Sequence, residues 1–130
     1  MIVVPFERRR GSLIVAADVA GPRGRARVSL VLDTGASRTI LAPEVLDLIG
    51  YSARDGVHVT YVTSPLGREA GYFVRIGVVS CFGTDFPDFL VTVQDFADAP
   101  DFDGLLGLDL LDHFNYEIRS KEGRVRAEPA

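Results

Sequence analysis

The sequence predicts an all-β, barrel-like domain with one or two short helices. Three observations lead there. Apolar residues recur mostly with period two. The alternating stretches are short and are divided by Gly- and Pro-containing turns. Helical spacing occurs only in two brief stretches. A length of 130 residues, with 47% hydrophobic and 25% charged residues, fits one soluble domain spanning 1–130.

The elements follow in chain order. "SLIVAADVA" (12–20) reads as a strand and "GPRG" (21–24) as its turn. "RARVSLVLD" (25–33) returns as the second arm of a hairpin. Val28, Leu30 and Leu32 point to one side, Ser29, Val31 and Asp33 to the other. "APEVLDLIGY" (42–51) is helical: Pro43 suits a helix start, and Gly50 follows the last apolar residue as a C-cap does. "HVTYVTSPLGREAGYFVRIGVV" (58–79) forms two β-rich arms around a turn at Pro65 and Gly67, long enough to project from the body. "SCFGTDF" (80–86) holds another turn and "DFLVTV" (88–93) another strand. "QDFADAPDFD" (94–103) is an acidic loop. "GLLGLDLLDHF" (104–114) is an apolar strand that passes through Gly107 into a short helix. "NYEIR" and "GRVRAEP" close the chain as a hairpin over "SKEG".

Charge and composition remove several function classes. The formal net charge is −4, and the one basic run, Arg8, Arg9 and Arg10, reads as a solvated N-terminal arm, so no nucleic-acid partner is expected. A single cysteine, Cys81, cannot form an intrachain disulfide. The two histidines, His58 and His113, are far apart in sequence and give no zinc pattern. Asp95, Asp98, Asp101 and Asp103 fit no EF-hand spacing and read as a solvated acidic loop, so neither metal nor cofactor is expected. No stretch has the length of a membrane span, and "MIVVPFERRR" does not read as a signal peptide, being short of apolar length and with its charges following the apolar residues. The expected setting is cytoplasmic, with no membrane partner.

"VSLVLDTGASRTIL" (28–41) carries the chemistry. It drives an apolar strand into Asp33, then turns through Thr34, Gly35, Ala36 and Ser37. A carboxylate facing a core costs several kcal/mol unless it is paired or neutralised. Roughly 70 residues later comes Leu105-Leu106-Gly107. This pair of motifs resembles the signature of the retropepsin-like aspartic proteases, of the cellular and bacterial kind. The element order matches over nearly the whole chain: hairpin, Asp-Thr-Gly loop, short helix, long hairpin, strands, Leu-Leu-Gly, helix, closing strands.

The resemblance implies an aspartic endopeptidase. Such an enzyme uses two carboxylates a hydrogen bond apart that share one proton, because like charges at that distance cannot both ionise. The chain has one Asp-Thr-Gly and no Asp-Ser-Gly. The second carboxylate therefore comes from a second copy, Asp33 meeting its twin on the two-fold axis of a homodimer. Thr34 would bond across the dimer and rigidify the pair. Gly35 would pass close to the carboxylate and offer its N–H, and Gly107 would let the Leu105-Leu106 strand cross tightly behind the loop. Val31 and Leu105 would be apolar walls of substrate pockets; in any β-domain both also read as core. Ser64, Pro65, Leu66 and Gly67 would be the tip of a flap closing over a peptide or protein substrate bound as an extended strand; otherwise they form an exposed hairpin turn.

Three features set this chain apart. Viral members carry an acid after the Ala and an Arg after the last motif Gly, and these pair. Ser37 and Leu108 stand at those positions here, so that ion pair is missing. Asp109 is instead placed to accept from the Thr39 hydroxyl or to sit as an acid in the first turn of the helix. Ala36 stands where many pepsin-type sites have Ser or Thr, and it cannot donate to the carboxylate, which places the activity nearer neutral pH. The competing reading is a catalytically silent peptide-binding or dimerisation module on the same scaffold. The presence of Asp33 favours the enzyme.

Overall fold

The alternation over residues 12–32 builds the first long hairpin. In the computed structural model, which describes residues 1–56, 59–64, 67–95 and 102–130 (backbone only for 59–64 and 67–70), β3 (Ser12–Gly21) pairs antiparallel with β4 (Gly24–Leu32). The rungs run from Ile14↔Val31 to Gly21↔Gly24 at the turn. Val28, Leu30 and Leu32 are buried, whereas Ser29, Val31 and Asp33 are partly exposed. One period-two pattern thus fixes both the core face and the side on which Asp33 emerges.

Two strands precede this hairpin where a solvated arm was expected. β1 (Ile2–Pro5) pairs with the C-terminal strand, and β2 (Glu7–Arg9) pairs with the first residues of β3. Arg8 lies over the Phe6 ring and donates to the Ser120 carbonyl, so the basic run is fastened to the body. Strands of four and three residues are too short to show a period, and the first ends on Pro5.

After β4 the chain makes β5 (Ile40–Leu41) and α1 (Pro43–Ile49). Pro43 occupies the first turn of α1. Gly50 closes it in the left-handed region, φ 101°, with its N–H on the Leu46 carbonyl at 3.0 Å. Val45, Leu46 and Ile49 are buried. A single 3₁₀ turn follows at Ala53–Asp55.

β6 (Val59–Ser64) and β7 (Gly67–Cys81) form the long hairpin, closed by the rung Ser64↔Gly67. Beyond this hairpin β7 continues, pairing with β8 (Thr84–Val93) and, through Asp18↔Ser80, Val19↔Val79 and Ala20↔Val78, with β3. β9 (Gly104–Leu106) lies between β4 and β5, parallel to one and antiparallel to the other. β5 in turn pairs with β8. The order β3-β4-β9-β5-β8-β7 therefore returns to β3, and the sheet closes as a barrel. Leu30, Val74, Ile76, Val91 and Leu106 fill it, capped by Leu46, Ile49 and Leu110. Truncating a buried Leu or Ile of this kind to Ala typically costs about 2–5 kcal/mol.

α2 (Leu108–Leu111) is one turn long. It leads into β10 (Phe114–Arg119) and β11 (Arg124–Pro129), which with β1 make a separate sheet ordered β1-β11-β10. Edge-on contacts of Phe114 with Phe82 and Phe86 join this sheet to the barrel. The architecture is all-β with two short α-helices, and no described helix is long and apolar enough to cross a membrane.

Candidate active site

β4 delivers Asp33. One residue past the strand, the Asp33 N–H still donates to the Leu106 carbonyl at 3.0 Å, extending the β4–β9 ladder. The chain then turns sharply: the Ala36 N–H reaches the Asp33 carbonyl at 3.2 Å. The Gly35 N–H donates to Asp33 Oδ1 at 2.9 Å, so the loop's own backbone orients the carboxylate. Asp33 is partly exposed, Thr34 and Gly35 are exposed, and Ala36 is fully buried beneath them.

The loop is braced from behind. The Leu108 N–H donates to the Ala36 carbonyl at 2.9 Å. A Cβ on Gly107 would lie 2.5 Å from both the carbon and the oxygen of the Arg38 carbonyl, and 2.9 Å from the Ala36 oxygen, so glycine is required by contact. Thr39 is fully buried. Its N–H donates to both Asp109 oxygens at 2.9 Å and its hydroxyl to Asp109 Oδ1 at 2.7 Å. The Gly107 N–H in turn donates to Thr39 Oγ1 at 3.2 Å. Asp109 therefore takes both positions foreseen for it, acceptor for Thr39 and acid in the first turn of α2. An ionised acceptor satisfies two buried donors at once, which is the stronger class of hydrogen bond.

With this geometry the relationships of the chain can be tested against known proteins. The sequence profile of the family described as "Aspartyl protease" matches residues 15–110, more than half of the chain. The chain belongs to the aspartyl protease family. A search of curated proteins by sequence finds no match. Among solved structures, a retropepsin-like aspartic protease from Rickettsia conorii superposes with a TM-score of 0.67 at 20% identity, covering 99% of this chain and 90% of that one. The crystal structure of edgp superposes with a TM-score of 0.54 at 14% identity; 82% of this chain is covered, and 35% of that one. The fold is retropepsin-like, as the two motifs implied.

Within this aspartyl protease chain, a small apolar cluster lies under the loop. Ala36, Ile40 and Leu105 are buried, with Val31 and Phe102 packed partly exposed against them. Leu105, anticipated as a pocket wall, is only 2% exposed in the single chain, while its cross-strand partner Val31 reaches the surface more. Ser64 and Gly67 are seen as a backbone rung; Pro65, Leu66, His58, Asp98 and Asp101 lie outside the described residues.

Sequence reasoning missed two residues that hold the crossing. A Cβ on Gly104 would collide with the Ile40 carbonyl oxygen. Asp103, assigned to a solvated loop, is partly buried. Its Oδ2 accepts from the Ser29 N–H at 2.8 Å, and its own N–H donates to the Ser29 carbonyl at 2.8 Å. The usable signal was an isolated Gly before two leucines, a mark of close backbone approach. Cys81 is buried in the main core, and burial, then the charge of Asp109, pushes its thiol up to about 12, which disfavours the reactive thiolate.

Proposed function

We propose that residues 1–130 act as one aspartic endopeptidase domain, working as a homodimer in which Asp33 of each copy supplies half of a carboxylate pair. One observation carries the reading. A single Asp-Thr-Gly carboxylate, oriented by the Gly35 N–H at 2.9 Å, sits partly exposed on a rigidly braced loop. Such a group is half of a proton-sharing pair and needs a twin. The exposure of Thr34 and Gly35 leaves that surface open to the second copy. The ionised carboxylate takes a proton from a trapped water, and the protonated one donates to the scissile carbonyl oxygen. Water adds to the carbonyl carbon, the C–N bond breaks, and the amine leaves protonated, with no covalent intermediate. Substrate lies extended beside Val31, under the hairpin tip Ser64–Gly67, which closes as a flap. The setting proposed is cytoplasmic.

The test is direct. Purified protein should sediment as a dimer, cleave members of a diverse peptide library between acid and neutral pH, and be inhibited by a statine-type transition-state mimic. Asp33→Asn should reduce cleavage to background while leaving the melting temperature near wild type. A dimer that binds peptides but cuts none would replace the enzyme with the silent binding module; a strict monomer would remove the mechanism.

A further inference from the structure

Arg38 is an exposed cation on the loop that carries Asp33. Both ends of this loop rest on two consecutive residues. The Asp33 N–H is bonded to Leu106, and the Arg38 carbonyl is packed against Gly107. The six residues from Asp33 to Arg38 therefore leave and return at neighbouring points, which keeps the Arg38 backbone close to that of Asp33. Its guanidinium carbon lies 5.1 Å from the centroid of the Phe73 ring. Phe73 belongs to β7, the strand that runs up into the long hairpin. The cation thus links the Asp33 loop to the base of the long hairpin proposed to cover it.

A guanidinium held over an aromatic face is positioned by the ring without spending its hydrogen-bond donors on a counter-charge, and it has five N–H donors to offer. Among the described residues no carboxylate forms an ion pair with Arg38, although the chain carries net negative charge. Arg9, Arg119 and Arg124, by contrast, are paired with glutamates. A pre-oriented planar fork matches a carboxylate.

We propose that Arg38 is a specificity-determining residue that selects peptides carrying Asp or Glu close to the scissile bond. The cleavage form of this inference rests on the endopeptidase reading above; the binding form does not. The site is too open for a large effect, so the discrimination should be about ten-fold and should shrink as salt is raised.

The experiment uses the full chain and a decapeptide library, followed by the best-cleaved peptide with Glu, Gln or Lys placed in turn at each position within four residues of the cut. Wild type should show kcat/KM about ten-fold higher for Glu than for Lys at one of these positions. Arg38→Gln should bring that ratio close to one, and Arg38→Glu should invert it. Arg25→Gln removes the same charge from the distant β3–β4 turn and should leave the ratio alone. An unchanged ratio in Arg38→Gln, or an equal loss in Arg25→Gln, overturns the inference. If wild type cleaves nothing, the endopeptidase reading fails and Arg38 is judged by the library peptides retained on immobilised protein. Enrichment of acidic peptides that Arg38→Gln abolishes supports the inference; no enrichment refutes it.

Discussion

Two parts of this molecule bring distant chain segments together by opposite means. Behind Asp33, β4, β9, β5 and the start of α2 cross at backbone contact, with glycines where any side chain would collide and a buried Thr39–Asp109 bond network between them. In the terminal sheet β1-β11-β10, the turn between β10 and β11 is held by exposed ion pairs. Arg119 grips Glu122 through two bonds of 2.8 Å, and Arg124 adds a third at 3.0 Å. The first region has no slack and no solvent to relax into; the second is screened by water and salt. Chemistry that needs a carboxylate fixed to a fraction of an ångström belongs on the first kind of construction.

The largest break in that contrast should come from Gly107→Ala. The new Cβ meets backbone atoms of Arg38 at 2.5 Å, and backbone cannot swing aside as a flexible side chain does. Overpacking typically costs about 1–3 kcal/mol, the upper end being expected where backbone must move, and it displaces the loop that presents Asp33. Urea unfolding should show a midpoint far below wild type, with cleavage lost even where the protein remains folded. A midpoint within error of wild type would mean that the crossing is not tight.

How far could this contrast be read without coordinates? The Asp33 loop was legible because two local patterns announce it: alternation that ends on an acid, and a three-residue turn motif. The ends of α1 were legible for the same reason, since Pro43 and Gly50 act on their own neighbours. β5 was not, because two residues cannot show a period; β1 was hidden by its shortness, and β2 by its shortness and charge. Gly104 and Asp103 were missed because what they touch, Ile40 and Ser29, lies far away in the chain. The Thr39–Asp109 bond was foreseen only as a hydroxyl contact, and only through the family pattern that set the two motifs side by side. The two backbone N–H bonds to the same carboxylate follow from the crossing itself. Sequence speaks for contacts between neighbours, and a crossing of segments remote in the chain is silent unless a motif names both.

A smaller change sharpens the comparison from within the braced region. Ala36 is fully buried directly behind the Asp33 turn, among Ile40 and Leu105. By resemblance to pepsin-type sites, a hydroxyl placed there is expected to donate to the Asp33 carboxylate. Donation to the ionised form favours that form. Ala36→Ser should therefore move the acid limb of the pH–rate profile toward lower pH by about one unit, with cleavage retained. A profile that stays in place, in a variant shown to be folded, would disprove this account of the alanine.

The smallest effect belongs to the terminal hairpin. Arg119 first, then Arg124, hold the Glu122 carboxyl down to about 2, and Glu122 correspondingly raises the Arg119 guanidinium. An unfolded glutamate titrates near about 4.3. The folded value is depressed, so the pairing stabilises the fold above that unfolded value and is lost as pH falls from about 4 toward about 2. All three side chains are exposed enough that solvent screens most of the gain. Glu122→Gln should lower the urea midpoint only slightly at neutral pH and progressively less as pH falls through about 2, with the difference vanishing in high salt. Cleavage should be unchanged, since nothing in the ion-pair cluster touches the Asp33 loop. A large, salt-resistant loss of stability would show instead that the exposed hairpin is as tightly interlocked as the crossing, and the distinction between the two regions would collapse.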